Sequence, residues 1–319
     1  MSKISYRGSS VELEAEESVL DALLRAGLEV ASSCRAGACQ ACMLRAESGD
    51  PGAAAQAGLR PAQREAGFFL ACMARPEEDL VIADAALPSH VTRIQEVRDW
   101  GGGIYRVRLD VPEGFSYRGG QYVQLARSAA QVRAYSLASL PGDPWLELHV
   151  RQHPRGKVSR WLTTAAAGDE VSLRGPSGEC YYQVASSSQP LVLVGMGTGM
   201  APIYAVLRDA IAAGHDGPIT LVQGARSAAA LYLERELSEL CDGRPGIEFL
   251  RCVLEGDPDD PRVGDAVQRT LEACTDFKGR RVYLCGGVEQ VNALKRQAFL
   301  RGARLQDISA DPFVLAAAG

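Results

Sequence analysis

The pattern of apolar and polar positions changes character twice along the chain. In the first 85 residues short alternations surround one helical stretch. Ile4-Ser5-Tyr6 and Val11-Glu12-Leu13 flank Arg7-Gly8-Ser9-Ser10, which predicts two short strands and a turn. Val19, Leu20, Leu23 and Leu24 recur at helical spacing behind Glu17-Ser18, and Gly27 ends that run. Phe68-Phe69-Leu70-Ala71 predicts a buried run and Leu80-Val81-Ile82 a closing strand. Ala85-Ala86-Leu87-Pro88-Ser89 then reads as a boundary.

Beyond it lie six strand-sized segments, at 90–97, 104–111, 121–126, 133–138, 145–150 and 170–173. Pro, Gly and Asp punctuate them, which predicts a small antiparallel barrel. The last third differs again. Leu191-Val192-Leu193-Val194 is continuously apolar, as a parallel strand buried on both faces requires. A glycine loop and the helical segment 203–213 follow it. Further strands at 219–223, 248–253 and 281–285 alternate with helices, which predicts an α/β nucleotide-binding fold. The expected organisation is three domains, 1–87, 88–187 and 188–319, of α+β and α/β type.

Composition adds limits. The 319 residues are 46% hydrophobic and 23% charged, an ordinary globular balance. The apolar runs are strand-sized, and no basic segment followed by an apolar one opens the chain, so neither a membrane span nor a signal peptide is expected. The net charge of −5 is unevenly placed. Residues 1–85 carry 8 Lys/Arg and 13 Asp/Glu, whereas the rest carries 26 of each. The acidity belongs to the first domain, and no nucleic-acid partner is expected. Cys180, Cys241, Cys252, Cys274 and Cys285 are scattered singly, which fits free thiols in a reducing cytoplasm.

The other four cysteines are clustered. Cys34, Cys39 and Cys42 stand as C-x4-C-x2-C, and Cys72 follows 30 residues later. This is the ligand spacing of a plant-type [2Fe-2S] cluster. Zinc sites begin with cysteines two to four residues apart and continue with a second pair or histidines, which does not fit. Disulfides are the alternative. Ala36, Gly37, Ala38 and Ala41 let backbone amides approach the sulfurs. This segment resembles the plant-type ferredoxins, which implies a β-grasp-like domain. Gln40 departs from their frequent glycine.

In the middle domain Arg133-Ala134-Tyr135-Ser136 puts a guanidinium and an aromatic ring on one strand face. These suit a phosphate and a flat ring system, although an ordinary exposed face reads the same way. Gly156-Lys157-Val158-Ser159 opens a helix, a second phosphate-suited element with a free serine hydroxyl. Together they match a dinucleotide flavin. His149 and Arg151 lie on the strand before this turn and are counted among the expected cofactor-binding residues, although His149 also reads as a core or strand-face residue. In the last domain Gly195-Met196-Gly197-Thr198-Gly199-Met200-Ala201-Pro202 joins strand to helix, and Cys285-Gly286-Gly287 closes another strand whose end opens towards a ligand crevice.

These motifs resemble the ferredoxin–NAD(P) reductase family: R-x-Y-S, G-x-x-S, the G-P-x-G of Gly175-Pro176-Ser177-Gly178, G-x-G-T-G-x-x-P and the C-G pair. The departures are Met196 and Gly287-Val288, which replace a frequent glycine and frequent prolines. The resemblance implies a FAD barrel and a parallel-sheet NAD(P) domain. It implies Tyr135 on the isoalloxazine, Ser136 near N5, and Arg133 with Gly156–Ser159 on the pyrophosphate. Gly195, Gly197, Thr198, Gly199 and Pro202 would hold the nicotinamide dinucleotide, with Cys285 and Gly286 near its ring. Asp311-Pro312-Phe313 matches the family's C-terminal acidic residue, spacer and aromatic. Phe313 would cover the flavin and Asp311 would lie near the hydride path.

Ferredoxin, flavin barrel and NAD domain in this order match reductase components of bacterial ring-hydroxylating dioxygenases and related oxygenases. The expectation is a cytoplasmic monomer that moves electrons from NADH through FAD and [2Fe-2S] to an oxygenase or a separate ferredoxin. A cytochrome P450, a deoxysugar-type reduction and a redox-sensor role are the alternatives. Arg226 leans towards NADPH, but it stands alone and a salt bridge to Glu234 is an equal alternative, with no acidic residue at the strand end. The family tips the balance to NADH.

Overall fold

The computed structural model describes residues 2–59, 61–83, 89–128 and 131–314. The boundary expected at 87/88 and the tail residues 315–319 lie outside them. The described residues form three sheets, one per expected domain.

The first sheet has the order β2-β1-β5-β3-β4. Its strands are β1 (Lys3–Tyr6), β2 (Ser9–Glu12), β3 (Met43–Ser48), β4 (Phe68–Leu70) and β5 (Leu80–Ile82). The pairing of β1 with β5 is parallel and the rest is antiparallel, a β-grasp arrangement. Helix α1 (Val19–Arg25) starts where Ser18 Oγ accepts the Asp21 N–H, and it buries Val19, Leu20, Ala22 and Leu23 against the sheet. Short helices α2 (Ala53–Gln56) and α3 (Pro61–Glu65) bridge β3 to β4.

The second sheet has the order β10-β7-β6-β11-β8-β9. It comprises β6 (His90–Asp99), β7 (Ile104–Leu109), β8 (Tyr122–Ser128), β9 (Gln131–Ser136), β10 (Leu146–Arg151) and β11 (Glu170–Ser177). An antiparallel bridge between Leu137 and Leu148 joins its two edges, so the sheet closes on itself. Val107, Leu109, Val123, Leu125, Leu148 and Leu173 fill the interior. Helix α4 (Lys157–Thr164) caps the barrel with Val158 and Leu162.

The third sheet is parallel, in the order β14-β13-β12-β15-β16. Its elements run β12 (Leu191–Met196), α5 (Met200–Ala212), β13 (Ile219–Ser227), α6 (Glu234–Cys241), β14 (Ile247–Glu255), α7 (Ala266–Ala273), β15 (Arg281–Gly287), α8 (Val288–Leu300) and β16 (Ile308–Phe313). On β12, Leu191 and Leu193 pack into one core while Val192 and Val194 pack into the other. That two-sided burial is why the strand reads as a continuous apolar run. The chain reverses direction across the sheet between β12 and β15, the topological switch point where such folds bind ligands.

An apolar tail either frays or packs on the core. Ile308–Phe313 packs as an edge strand, with Asp311 opposite Cys285 and Phe313 opposite Gly287. Parallel pairing has no hairpin signal, and Pro312 argues locally against a strand. An edge position tolerates it, because one side of the strand needs no partner.

Candidate functional site: a cysteine loop, a flavin strand and a dinucleotide crevice

The four clustered cysteines converge, and backbone amides turn inward to meet them. Ala36 and Cys39 each donate an N–H to Cys34 Sγ at 3.4 Å, and Cys34 donates to Cys39 Sγ at 3.4 Å. Cys72 donates to Cys42 Sγ at 3.5 Å. The thiols interact as two pairs. Cys34 is drawn down to about 5, first by Cys39 and then by the Ala36 N–H. Cys72 is drawn down to about 7, first by Cys42. Among the described residues no group of three could hold a single metal ion. A two-iron cluster asks for something else: two cysteines on each iron, with amides facing sulfur. The pairs Cys34/Cys39 and Cys42/Cys72 fit that donor set. Gln40 adopts φ +56°, a left-handed conformation that favours glycine. Its buried amide compensates by donating to the Gly58 carbonyl at 3.0 Å. The residue therefore keeps the turn that a glycine would otherwise make.

Strand β9 carries Arg133, Tyr135 and Ser136, and α4 packs beside it. Tyr135 is half-buried against the barrel core near Val158 and Leu162. The flavin strand and the helix start are thus brought together, and this arrangement fits the ring and phosphates of a dinucleotide flavin. Ser159 differs from expectation. Its hydroxyl is not free: it accepts the His153 N–H at 3.2 Å and donates to the Gly156 carbonyl at 3.4 Å. The turn preceding the helix uses it. A side chain on Gly156 would strike Ser159 Oγ, so this glycine keeps the turn closed.

At the switch point, the glycine loop lies on the end of β15. A Cβ on Gly199 would collide with the Cys285 carbonyl, and one on Gly286 would meet Met196. Gly197, at φ +55°, faces the Arg151 guanidinium, which reaches over from the barrel. Thr198 lies in the same turn and Pro202 in the first turn of α5. Asp311 and Phe313 enter from β16. Burial lifts the Asp311 carboxyl to about 6.

Three findings go beyond or against the sequence expectations. Cys180 Sγ lies 3.2 Å from Cys285 Sγ, a contact that no local spacing announces across 105 residues. His149 is a core histidine. It bonds Tyr232 and Glu147 at 3.2 Å each and stacks edge-on against Trp100 and Tyr232, between the barrel and the third domain. Arg208 reinforces that junction through Asp143, with two contacts of 2.9 Å. Finally, Arg226 pairs with Glu255 at 2.8 Å, not with Glu234, which faces Arg251 instead. Glu255 ends β14 beside Ser227, so an acidic residue does stand at the strand ends.

Three family models match consecutive segments: the 2Fe-2S iron–sulfur cluster binding domain at residues 4–77, the oxidoreductase FAD-binding domain at 93–182 and the oxidoreductase NAD-binding domain at 193–296. The aromatic O-demethylase reductase subunit of Amycolatopsis sp. is 35% identical over 307 residues, 91% of this chain and 92% of that one. The toluate 1,2-dioxygenase electron transfer component of Pseudomonas putida is 30% identical over 324 residues, 96% and 95% of the two chains. The chain belongs to the ferredoxin–NAD(P) reductase family, in the branch with a [2Fe-2S] domain ahead of the flavin barrel. A crystal structure of the Amycolatopsis cytochrome P450 reductase GcoB superposes on this reductase with a TM-score of 0.70 and 32% identity, covering 98% and 99% of the chains. The reductase is an iron–sulfur flavoprotein oxidoreductase using FAD, a [2Fe-2S] cluster and a nicotinamide dinucleotide. No described helix is long and apolar enough to cross a membrane.

Proposed function

We propose that the reductase draws electrons from NADH and delivers them singly to an oxygenase component or a separate ferredoxin. One observation carries this reading. The glycine loop, the Cys285 strand end and the tail strand meet at one switch point, and the barrel's Arg151 reaches into it. When bound, FAD accepts two electrons as hydride and releases them one at a time, which suits a one-electron cluster.

The residues take the following roles. Cys34 and Cys39 would hold one iron, and Cys42 and Cys72 the other. Tyr135 would lie against the flavin ring and Ser136 would offer its hydroxyl near N5. Arg133 and the amides of Lys157 and Val158 would hold the pyrophosphate, while Gly156, whose N–H donates to the His153 carbonyl, and Ser159 shape that turn. Gly195, Gly197, Thr198, Gly199 and Pro202 let the dinucleotide approach, and Arg151 contributes charge there. Arg226 lies at the ribose end. Cys285 and Gly286 flank the nicotinamide. Phe313 shields the flavin face, and Asp311 holds or releases a proton beside it. His149 orients the barrel against the third domain. The working form is a cytoplasmic monomer.

Cytochrome P450 is the second reading of the acceptor, favoured by the full-length likeness to the Amycolatopsis P450 reductase. Reconstitution with purified acceptors tests both. NADH-dependent turnover of a ring-hydroxylating oxygenase supports the first and turnover of a P450 the second. Failure to reduce either, or cytochrome c, overturns the electron-transfer reading.

A further inference from the structure

The first two domains touch through one face of β8. Side chains alternate along a strand, and Val123 and Leu125 point into the barrel core. Tyr122, Gln124 and Ala126 therefore share the outer face. Their cross-strand partners on β9 are Ser136, Ala134 and Val132. The cysteine loop rests on this face. Ala126 and Val132 pack with Ala41, with Ala31 and Cys39 alongside. Gln124 is buried at 6% exposure and donates its amide N–H to the Cys39 carbonyl at 2.9 Å. Its Oε1 finds no partner among the described residues. The reverse amide orientation would set two oxygens against each other, so the Cys39 carbonyl fixes the side chain. The residue opposite Gln124 is Ala134, which sits between Arg133 and Tyr135 of the flavin motif.

We propose that Gln124 is a positioning residue for flavin-to-cluster electron transfer: its amide clamps the Cys39 peptide, and with it the cluster, onto the strand pair that carries the flavin motif. The inference rests on Cys39 being a cluster ligand, as proposed above. A mixed contact of small apolar side chains and one buried amide explains why a glutamine stands where the barrel exterior would otherwise be free to vary. The amide also polarises a peptide directly attached to a ligand, and such outer partners tune iron–sulfur centres.

The test uses the holoenzyme and two variants, Gln124→Met, which keeps the length but has no donor, and Gln124→Glu. Rapid mixing with NADH resolves flavin bleaching from the later arrival of electrons at the cluster. Flavin bleaching stays at the wild-type rate in both variants. In Gln124→Met, electron arrival at the cluster slows by about tenfold, the lower end of what losing an outer partner of a metal ligand costs in activity. Gln124→Glu slows it equally at about pH 8, where a carboxylate faces the carbonyl. Relative to wild type at the same pH, it recovers towards pH 5.5, where the neutral acid donates in the amide's place. The paramagnetic resonance spectrum of the reduced cluster shifts in Gln124→Glu at high pH and returns at low pH. A structural filler role would produce neither reversal. Wild-type arrival rates in Gln124→Met, or a slowing in Gln124→Glu that ignores pH, would overturn the proposal. Iron content separates the two readings. If Cys39→Ser keeps its cluster, the ligand assignment fails. If it loses iron while both Gln124 variants retain theirs, the rates alone decide the role of Gln124.

Discussion

The cysteine loop and the dinucleotide crevice are built in opposite ways. Three of the four proposed ligands to iron lie within nine residues, 34 to 42, and the loop's own amides face them. The crevice draws on Gly195–Gly199, Cys285–Gly287 and Asp311–Phe313, segments brought together only by the parallel sheet. The first is a local device and the second a product of topology. Local devices fail at single ligands and leave the rest standing. Topological sites fail wherever the sheet does.

The largest expected effect tests the local side. Serine in place of Cys34, Cys39, Cys42 or Cys72 abolishes or distorts the cluster absorbance and leaves FAD bound and reducible by NADH. The five other cysteines tolerate the same change without loss of iron. Four variants with wild-type cluster spectra would break the comparison at its root.

Gly199→Ala tests the other side. Its Cβ has nowhere to go but the Cys285 carbonyl, backbone against backbone. The glycine loop must lift off β15, and hydride transfer from NADH falls by about a hundredfold or more, as misplacement at a reaction centre does. Iron content and the cluster spectrum stay unchanged. If hydride transfer survives, the crevice is not where the switch point puts it.

How much was legible follows the same division. The ligand spacing, the helix behind Ser18 and the two-sided burial of β12 are local or periodic, and all were readable. So were the glycine loop and the barrel strands, because turn residues punctuate them. What the sequence concealed was pairing at long range. Cys180 against Cys285, Arg226 against Glu255 and β16 against β15 are set by strand order, which no short window contains. Ser159 shows a different limit. A serine beside a helix start suits a phosphate and a turn equally, and only the His153 contact reveals that the turn uses it.

Asp311 sharpens the comparison through pH. Its carboxyl titrates at about 6 in the folded chain, above the ordinary 3.8, because burial penalises the charge. The folded state therefore binds a proton more tightly than the unfolded one. The cost is absent below about pH 4, grows between 4 and 6, and is complete above 6. Asp311→Asn removes it. The variant should be more stable than wild type at pH 8 by the order of 2 kcal/mol and equal to it at pH 3.5, measured by chemical denaturation. The same variant should lose the step near pH 6 in the rate of flavin reduction. Equal stabilities at both pH values would show that Asp311 is not enclosed at the sheet edge.

The smallest effect concerns the choice of nicotinamide. A 2′-phosphate seeks a free cation and an unphosphorylated ribose seeks a carboxylate. Arg226 is a cation whose charge is already met by Glu255, and both are well exposed. The pair presents little net charge, so a 2′-phosphate gains little there. NADH is expected to be the better donor by kcat/KM. Removing the carboxylate with Glu255→Gln frees Arg226 and should narrow the preference by about two- to fivefold, the scale of a solvent-screened surface pair. Arg226→Ala in that background should restore it. A wild-type preference for NADPH would mean that Glu255 yields Arg226 to the phosphate, and Arg226→Ala would then reverse the preference.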